Sequence, residues 1–195
     1  MLHEEPDFTL FERYLKKLAP LTDEEWGQLK EMLSIRRFKK KEIFQEAGKK
    51  CKVVGFILEG CFRSVKMHDG QERTFDFAIE NEFITDYHSI ITQTISAVDI
   101  IAVEDTVVAC VDATRLLQLF DSTFSWQKVG RHLAELVACY YQERLITSYY
   151  EAPKARYEKL MEQSPELFLR IPHHVLANYL GMTKETLSRL KNPSA

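Results

Sequence analysis

The chain has 195 residues, of which 45% are hydrophobic and 28% are charged, and its formal net charge is −3. This composition excludes a disordered tail, and the absence of any run of 18 apolar residues excludes an ordinary transmembrane helix. The four cysteines stand far apart without a CxxC pair, which argues against a zinc ribbon, a thioredoxin-like site and a disulfide framework. We therefore expect a soluble, cytoplasmic, globular protein.

Charge is distributed unevenly along the chain. Residues 154–195 contain seven Lys or Arg and four Asp or Glu, whereas the preceding residues contain 19 and 25. A basic end on an acidic body is the pattern of a nucleic-acid-binding module attached to a sensor. Alone this signal is weak, since such a small excess of positive charge is common on ordinary surfaces.

Two helices and then a series of short strands are predicted for the N-terminal half. The first helix ends before Pro20, and the second begins at Thr22. The basic run at 36–41 fits a solvated strand and turn. Between residues 43 and 112, β-branched and aromatic runs alternate with turn signals, among them Asp69–Gly70, which strongly predicts a hairpin. Strands at this spacing predict a small antiparallel sandwich or barrel.

A long helix is predicted between Trp126 and Ser148, because apolar residues recur there at spacings of three and four. Such a stripe suits the seam of a two-fold dimer. Packing of the stripe against the chain's own sheet explains the periodicity equally well. The dimer interpretation assigns six residues to the interface: Trp126, Val129, Leu133, Leu136, Val137 and Tyr140.

Two short helices separated by a tight turn are predicted near the end of the chain, after a further helix at 154–163. The first covers His173–Leu180 and closes at Gly181, and Thr183 caps the second, which runs to about Lys191. A helix, a glycine-containing turn and a helix form the helix-turn-helix arrangement. The four residues after the last helix are too few for a hairpin, so we expect a truncated wing.

The order of these parts resembles the Crp/Fnr family of bacterial transcription regulators. The sharpest similarity is IPHHVLANYLGMTKETLSRLK at 171–191, and ENEFITDY at 81–88 and IIAVEDTVV at 100–108 are also family-like. The resemblance spans nearly the whole chain and implies an α+β fold. It predicts an N-terminal antiparallel β-roll of the cyclic-nucleotide-binding type with N-terminal helices (1–122), a long dimerisation helix (123–151) and a C-terminal all-α helix-turn-helix domain (152–195).

The resemblance implies that the second helix of this motif enters the DNA major groove, where side chains of its first two turns reach base edges. Lys184 and Arg189 can donate to guanine, and Glu185 can accept from cytosine. An intrahelical pair between Glu185 and Arg189 is the structural alternative. The residues predicted to contact DNA bases or phosphates are Thr183, Lys184, Glu185, Thr186, Ser188 and Arg189.

The resemblance also implies an effector pocket, but the residues argue against a cyclic nucleotide in it. The family's pocket needs a Gly-Glu pair followed by an arginine, and here the pair is Asn81–Glu82. No Lys or Arg occurs between Thr74 and Thr114, so a bound cyclic phosphate would be desolvated without a cation. We expect neither cAMP nor cGMP to bind, and the cofactor or effector is unknown. The candidate pocket residues are Glu82, Asp86, Tyr87, Tyr141 and Gln142.

The sequence therefore predicts a homodimeric, sequence-specific DNA-binding regulator without a catalytic or metal site. Double-stranded DNA, a second copy and RNA polymerase are the implied partners, and no membrane is involved. One alternative is a regulator-like protein that has lost DNA binding and acts through a protein partner. A cupin-type barrel enzyme is a further alternative, but it would need clustered metal ligands, and the barrel region contains only His68 and His88.

Overall fold

A computed structural model describes residues 7–191. Two helices come first, α1 (Thr9–Leu18) and α2 (Asp23–Met32). The start of α2 is fixed by a capping box, in which the Thr22 hydroxyl accepts from the Glu25 amide at 3.1 Å and the Glu25 carboxylate accepts from the Thr22 amide at 3.0 Å. The predicted start at Thr22 is confirmed.

Eight strands follow in the described part of the chain. They are β1 (Ser34–Phe38), β2 (Ile43–Gln45), β3 (Val53–Glu59), β4 (Phe62–His68), β5 (Gln71–Ala78), β6 (Phe83–Ile84), β7 (Asp99–Ala102) and β8 (Thr106–Asp112). These strands form two four-stranded sheets, in the orders β1-β8-β3-β6 and β2-β7-β4-β5. In the first sheet β8 lies between β1 and β3, and both pairings are antiparallel. A short helix, α3 (Tyr87–Thr92), follows β6.

The hairpin of β4 and β5 turns at Asp69–Gly70, as predicted. Both residues have positive φ, 49° and 72°, which is the backbone conformation that a two-residue type I′ turn requires. Aspartate and glycine tolerate this left-handed region better than other residues, so the dipeptide sets the register of the two strands.

Two apolar clusters hold the β-roll together. One contains inward-facing strand residues that are at most 2% exposed, such as Phe38, Phe62 and Val108. The other combines Phe56 of β3 with side chains of the flanking helices, and there Phe11 stacks on Phe56 with ring centroids 4.1 Å apart. Burial of large side chains such as these stabilises the fold by about 1.5–3 kcal/mol each.

Six helices complete the described chain; four of them agree closely with the predicted bounds, and the two at Ala113–Phe120 and Leu167–Arg170 were not predicted. Pro153, predicted to end the long helix, occupies the first turn of the next helix, where its missing amide hydrogen costs nothing. The helices are α4 (Ala113–Phe120), α5 (Phe124–Tyr150), α6 (Pro153–Gln163), α7 (Leu167–Arg170), α8 (His173–Leu180) and α9 (Lys184–Lys191).

The chain divides into two compact units, and the division differs from the three predicted segments. The first unit contains residues up to Ser64 together with Phe77–Leu136. The second contains the hairpin segment Val65–Asp76 together with the chain from Val137 onward. No helix within residues 7–191 has the length and apolar character needed to cross a membrane. The predicted wing truncation concerns residues 192–195, which lie outside the described part.

Candidate nucleic-acid interface

Helices α8 and α9 are joined by a tight turn at Gly181, which has a φ of 70°. The Met182 amide donates to the Ala177 carbonyl at 3.0 Å, and the Gly181 amide donates to the Asn178 carbonyl at 3.1 Å. These two bonds form a Schellman motif, which ends a helix in the left-handed conformation that glycine adopts without strain. The turn predicted from the glycine is confirmed.

Helix α9 begins immediately after this turn and is capped by Thr183. The Thr183 hydroxyl accepts from the Thr186 amide at 3.2 Å, and its carbonyl accepts from the Leu187 amide at 3.0 Å. Leu187 is fully buried, as is Leu176 of α8, so apolar packing holds the inner face of both helices. The orientation of α9 is thus set by its cap and by its buried face.

All six residues predicted to contact DNA are exposed. At about 100° per residue, the side chains at positions 184, 185, 188 and 189 occupy one side of α9, opposite the buried Leu187. Two cations, one carboxylate and one hydroxyl therefore face solvent together. Four of the six predicted residues thus share one side, Lys184, Glu185, Ser188 and Arg189, whereas Thr183 and Thr186 are exposed at the start of the helix outside it.

The carboxyl group of Glu185 is held in its charged form. Hydrogen bonds from its own backbone amide and from Thr183 lower its pKa, and the nearby charges of Lys184 and Arg189 act in the same direction. Within residues 7–191, no ion pair joins Glu185 to Arg189. The intrahelical pair, which was the structural alternative to DNA contact, is therefore not formed.

Part of the predicted dimer stripe of α5 is buried in the hydrophobic core of the same chain. Trp126 and Val129 are 0% exposed and pack with residues of α1 and α2, and Leu133 packs against the same cluster. Side chains without exposed area cannot contact another chain, so the interface prediction is wrong for Trp126 and Val129. Their spacing reflects packing within the chain, the alternative that periodicity had left open.

The remaining predicted interface residues lie further along the same face of α5. Leu136 is 49% exposed, Val137 is half-buried, and Tyr140 donates to an Asp76 oxygen at 2.5 Å. Burial and the adjacent Asp76 carboxylate raise the pKa of Tyr140, which keeps the phenol protonated as a donor. Their part in a dimer stays a prediction.

Another face of α5 carries an exposed apolar stripe that the sequence analysis missed. Ala138, Tyr141, Leu145 and Tyr149 recur at spacings of three and four, and the last two are 57% and 77% exposed. At about 100° per residue, this stripe lies well away from the side that contains Trp126. Its spacing was visible in the sequence, but the more apolar inward face gave the stronger signal.

The residues predicted to line an effector pocket are distributed over both units. Glu82, Asp86 and Tyr87 belong to the first unit, and Tyr141 and Gln142 belong to the second. Glu82 accepts from the Ile79 amide at 2.9 Å, and Asp86 caps α3 by accepting from the Ser89 amide at 3.1 Å. Two of the predicted pocket carboxylates thus have local roles in turns and caps.

Asn81 occupies the position that the resemblance assigns to a glycine, and it has a φ of 67°. This left-handed conformation is one that glycine and asparagine adopt more readily than other residues. The turn before Glu82 therefore has a conformation that a glycine would also adopt without strain.

The described residues can also be compared with the requirements of a metal site and of a reactive thiol. No group of three or more His, Cys, Asp or Glu side chains among them is arranged to hold a metal ion. Cys51, Cys61 and Cys110 are buried, and Cys139 is exposed on α5. Burial raises the pKa of Cys110 to about 11, partly offset by Arg36, so this thiol is a poor nucleophile at neutral pH.

Comparison with known protein families identifies one domain. Residues 35–123 match the family described as cyclic nucleotide-binding domain, and this range covers seven of the eight strands completely and most of β1. A search of curated proteins finds no match. The family match thus covers the β-roll but not the C-terminal helices.

Solved structures extend the similarity over most of the chain. The catabolite activator protein of Thermus thermophilus is 23% identical, with 89% of this chain and 83% of that chain covered and a TM-score of 0.57. FixK2 from Bradyrhizobium japonicum is 19% identical, with 83% of each chain covered and a TM-score of 0.66. A protein from Eubacterium rectale assigned to the Crp/Fnr family of transcriptional regulators is 19% identical, with 88% and 82% covered and a TM-score of 0.66.

These comparisons define the class of the protein by its fold. The chain has an antiparallel β-roll of the cyclic-nucleotide-binding type followed by C-terminal helices, which confirms the predicted α+β architecture. The similarity in fold also extends beyond the roll, since the three solved structures cover 83–89% of this chain.

Proposed function

We propose that the protein is a sequence-specific DNA-binding transcription regulator in which α8 and α9 form the helix-turn-helix. The observation that carries this proposal is the exposed face of α9, where two cations, a carboxylate and a hydroxyl project from a helix whose opposite face is buried. A recognition helix needs this division, because one face must be fixed by packing while the other reads base edges.

The chemistry of the exposed face suits the DNA major groove. Arg189 can donate two hydrogen bonds to guanine, and Lys184 can donate to the same acceptors without the rigid fork of arginine. Glu185, kept ionised by its lowered pKa, can accept from the amino group of cytosine. Thr183 and Thr186 at the start of α9 can bond phosphate oxygens, where backbone amides of a helix N-terminus also favour anions.

A homodimer completes the proposal, because paired recognition helices read two half-sites about 34 Å apart. The exposed stripe of α5 supports pairing with a second copy through Ala138, Leu145 and Tyr149. These residues have the spacing of an interhelical seam, and large exposed apolar side chains in a row mark an interaction surface. We assign no catalytic role to any residue, and RNA polymerase stays a predicted partner.

The experiment is fluorescence-anisotropy binding of the full chain to a labelled duplex from the region upstream of its own gene, across a salt series. We expect sequence-dependent binding that falls steeply as salt rises, since phosphate contacts release counterions. Lys184→Ala and Arg189→Ala should each weaken binding by about tenfold or more and reduce the preference over random-sequence DNA.

Lys154→Ala is the matched control. Lys154 is an exposed lysine of α6 that pairs with Glu158, so its removal subtracts the same charge away from α9. Weak binding that is equal for the upstream duplex and for random-sequence DNA, and that is unchanged in the α9 variants, would contradict direct recognition of DNA by α9. That result would favour the protein-partner alternative.

A further inference from the structure

A polar cluster joins the β4–β5 hairpin to the first helix of the proposed DNA-binding motif. The segment 72–76 of β5 contacts Asn178 near the end of α8, and Tyr140 and Arg144 of α5 contact the same segment. Arg144 also donates to Tyr179 of α8. All of these residues belong to the second compact unit. We call this set of interactions the hairpin contact.

Asn178 binds the backbone of β5 in the way that a neighbouring strand would. Its side-chain oxygen accepts from the Thr74 amide at 2.7 Å, and its side-chain nitrogen donates to the Glu72 carbonyl at 3.1 Å. A primary amide has the same donor and acceptor as a peptide group, so one asparagine satisfies two backbone groups of the strand. The two bonds attach the hairpin to α8, because neither of them is needed to form α8 or its turn.

Arg144 adds a second attachment from the long helix. Its guanidinium donates to the Tyr179 hydroxyl and to the Phe75 carbonyl, and it lies 4.7 Å from the centre of the Tyr179 ring. Next to it, Tyr140 donates to Asp76. The hairpin contact is therefore built from hydrogen bonds and a cation–π interaction. Polar contacts of this kind exchange with water more easily than an apolar core does.

The hairpin segment that Asn178 binds is acidic, and one of its carboxylates belongs to Glu72, whose carbonyl accepts from Asn178. Residues 69–76 contain three carboxylates, at Asp69, Glu72 and Asp76, and one cation, Arg73, while Arg144 interacts electrostatically with Asp76. In DNA-bound helix-turn-helix proteins the first helix crosses the phosphate backbone. The segment at Glu72 and Thr74 occupies part of α8 and brings the Glu72 carboxylate near that helix, so the closed contact and bound DNA oppose each other.

We propose that the hairpin contact is an autoinhibitory latch that restrains the DNA-binding motif and must open when DNA binds. The proposal rests on the proposed function, since it concerns the affinity of α8 and α9 for DNA. By linkage, any interaction that stabilises only the closed form lowers DNA affinity, and removing that interaction raises it.

The test compares Asn178→Ala and Arg144→Gln with wild type in the anisotropy assay on the upstream duplex. We expect each variant to bind about tenfold more tightly, the effect of losing one or two hydrogen bonds that stabilise only the closed form. Arg131→Gln is the matched control, because Arg131 is an exposed arginine of α5 whose ion pair with Glu135 lies outside the cluster. It should bind no more tightly than wild type.

Amide hydrogen exchange at Thr74 provides a readout that needs no DNA. Asn178→Ala should speed this exchange, and in wild type the upstream duplex should speed it as well, because DNA binding opens the contact. Equal or weaker DNA binding by Asn178→Ala, with wild type binding normally, would overturn the latch while leaving the proposed function intact. If neither wild type nor Asn178→Ala binds DNA specifically, both proposals fail together, whatever the exchange at Thr74.

Discussion

At the scale of single residues, the lysine at position 184 limits what the exposed face of α9 can read. A lysine amine is a flexible point charge, whereas an arginine guanidinium presents two donors in a plane that matches guanine. Lys184 should therefore contribute attraction to DNA with modest discrimination between bases. Arg189, one turn further along, is the side chain expected to read guanine with two bonds.

We predict that Lys184→Arg sharpens specificity without changing the number of charges. Discrimination for guanine at the contacted position should rise about tenfold, since a two-bonded contact is worth about 1–3 kcal/mol against the wrong base. The salt dependence should stay the same, because the charge is kept. Competition by duplexes with single-base changes measures the effect. An equal change in affinity for all duplexes would show that the side chain at position 184 contacts only the DNA backbone.

At the scale of elements, α5 shows that one helix can serve two purposes on different faces. Its first half contributes Trp126 and Val129 to the core of the first unit, and its second half exposes Leu145 and Tyr149. A spacing of three and four identifies an apolar face but not the surface that covers it. That choice depends on the sheet and helices packed nearby, which the local sequence does not describe.

We predict that Leu145→Glu separates the dimer, because it places a charge in the middle of the exposed stripe. Leu136→Glu, which changes a residue that is 49% exposed on the face first predicted to be the seam, should leave the dimer intact. Sedimentation velocity at matched concentrations measures the mass of each variant. If Leu136→Glu separates the copies and Leu145→Glu does not, the seam lies where the sequence analysis first placed it.

Local signals predicted the elements around α8 and α9 well. Thr183 and Gly181 specify a cap and a turn through their own conformations, and Asp69–Gly70 does the same for the hairpin. The bonds from Asn178 to Glu72 and Thr74 connect residues more than 100 positions apart. No pattern near Asn178 signals them, because they depend on how the chain folds back on itself.

At the scale of the whole molecule, the β-roll has the fold of a cyclic nucleotide-binding domain, but a long part of its sequence contains no cation. The stretch between Thr74 and Thr114 contains eight carboxylates and no Lys or Arg. Asn81 preserves the left-handed turn, and Glu82 bonds the Ile79 amide. Residues 74–114 therefore supply no positive side chain that could neutralise a cyclic phosphate.

We predict that cAMP and cGMP at about 1 mM leave both the melting temperature and the affinity for the upstream duplex unchanged. A ligand present at 100 times its Kd would stabilise the folded chain by about 2.7 kcal/mol and raise the melting temperature by several degrees. A buried site without a cation cannot bind a phosphate with that much free energy. Adenosine lacks the phosphate, so it tests whether the ribose and the base bind by themselves. A higher melting temperature with adenosine alone would indicate a site for the ribose or the base. A higher melting temperature with cAMP alone would show that a cation outside residues 74–114 reaches the phosphate, and it would contradict the prediction.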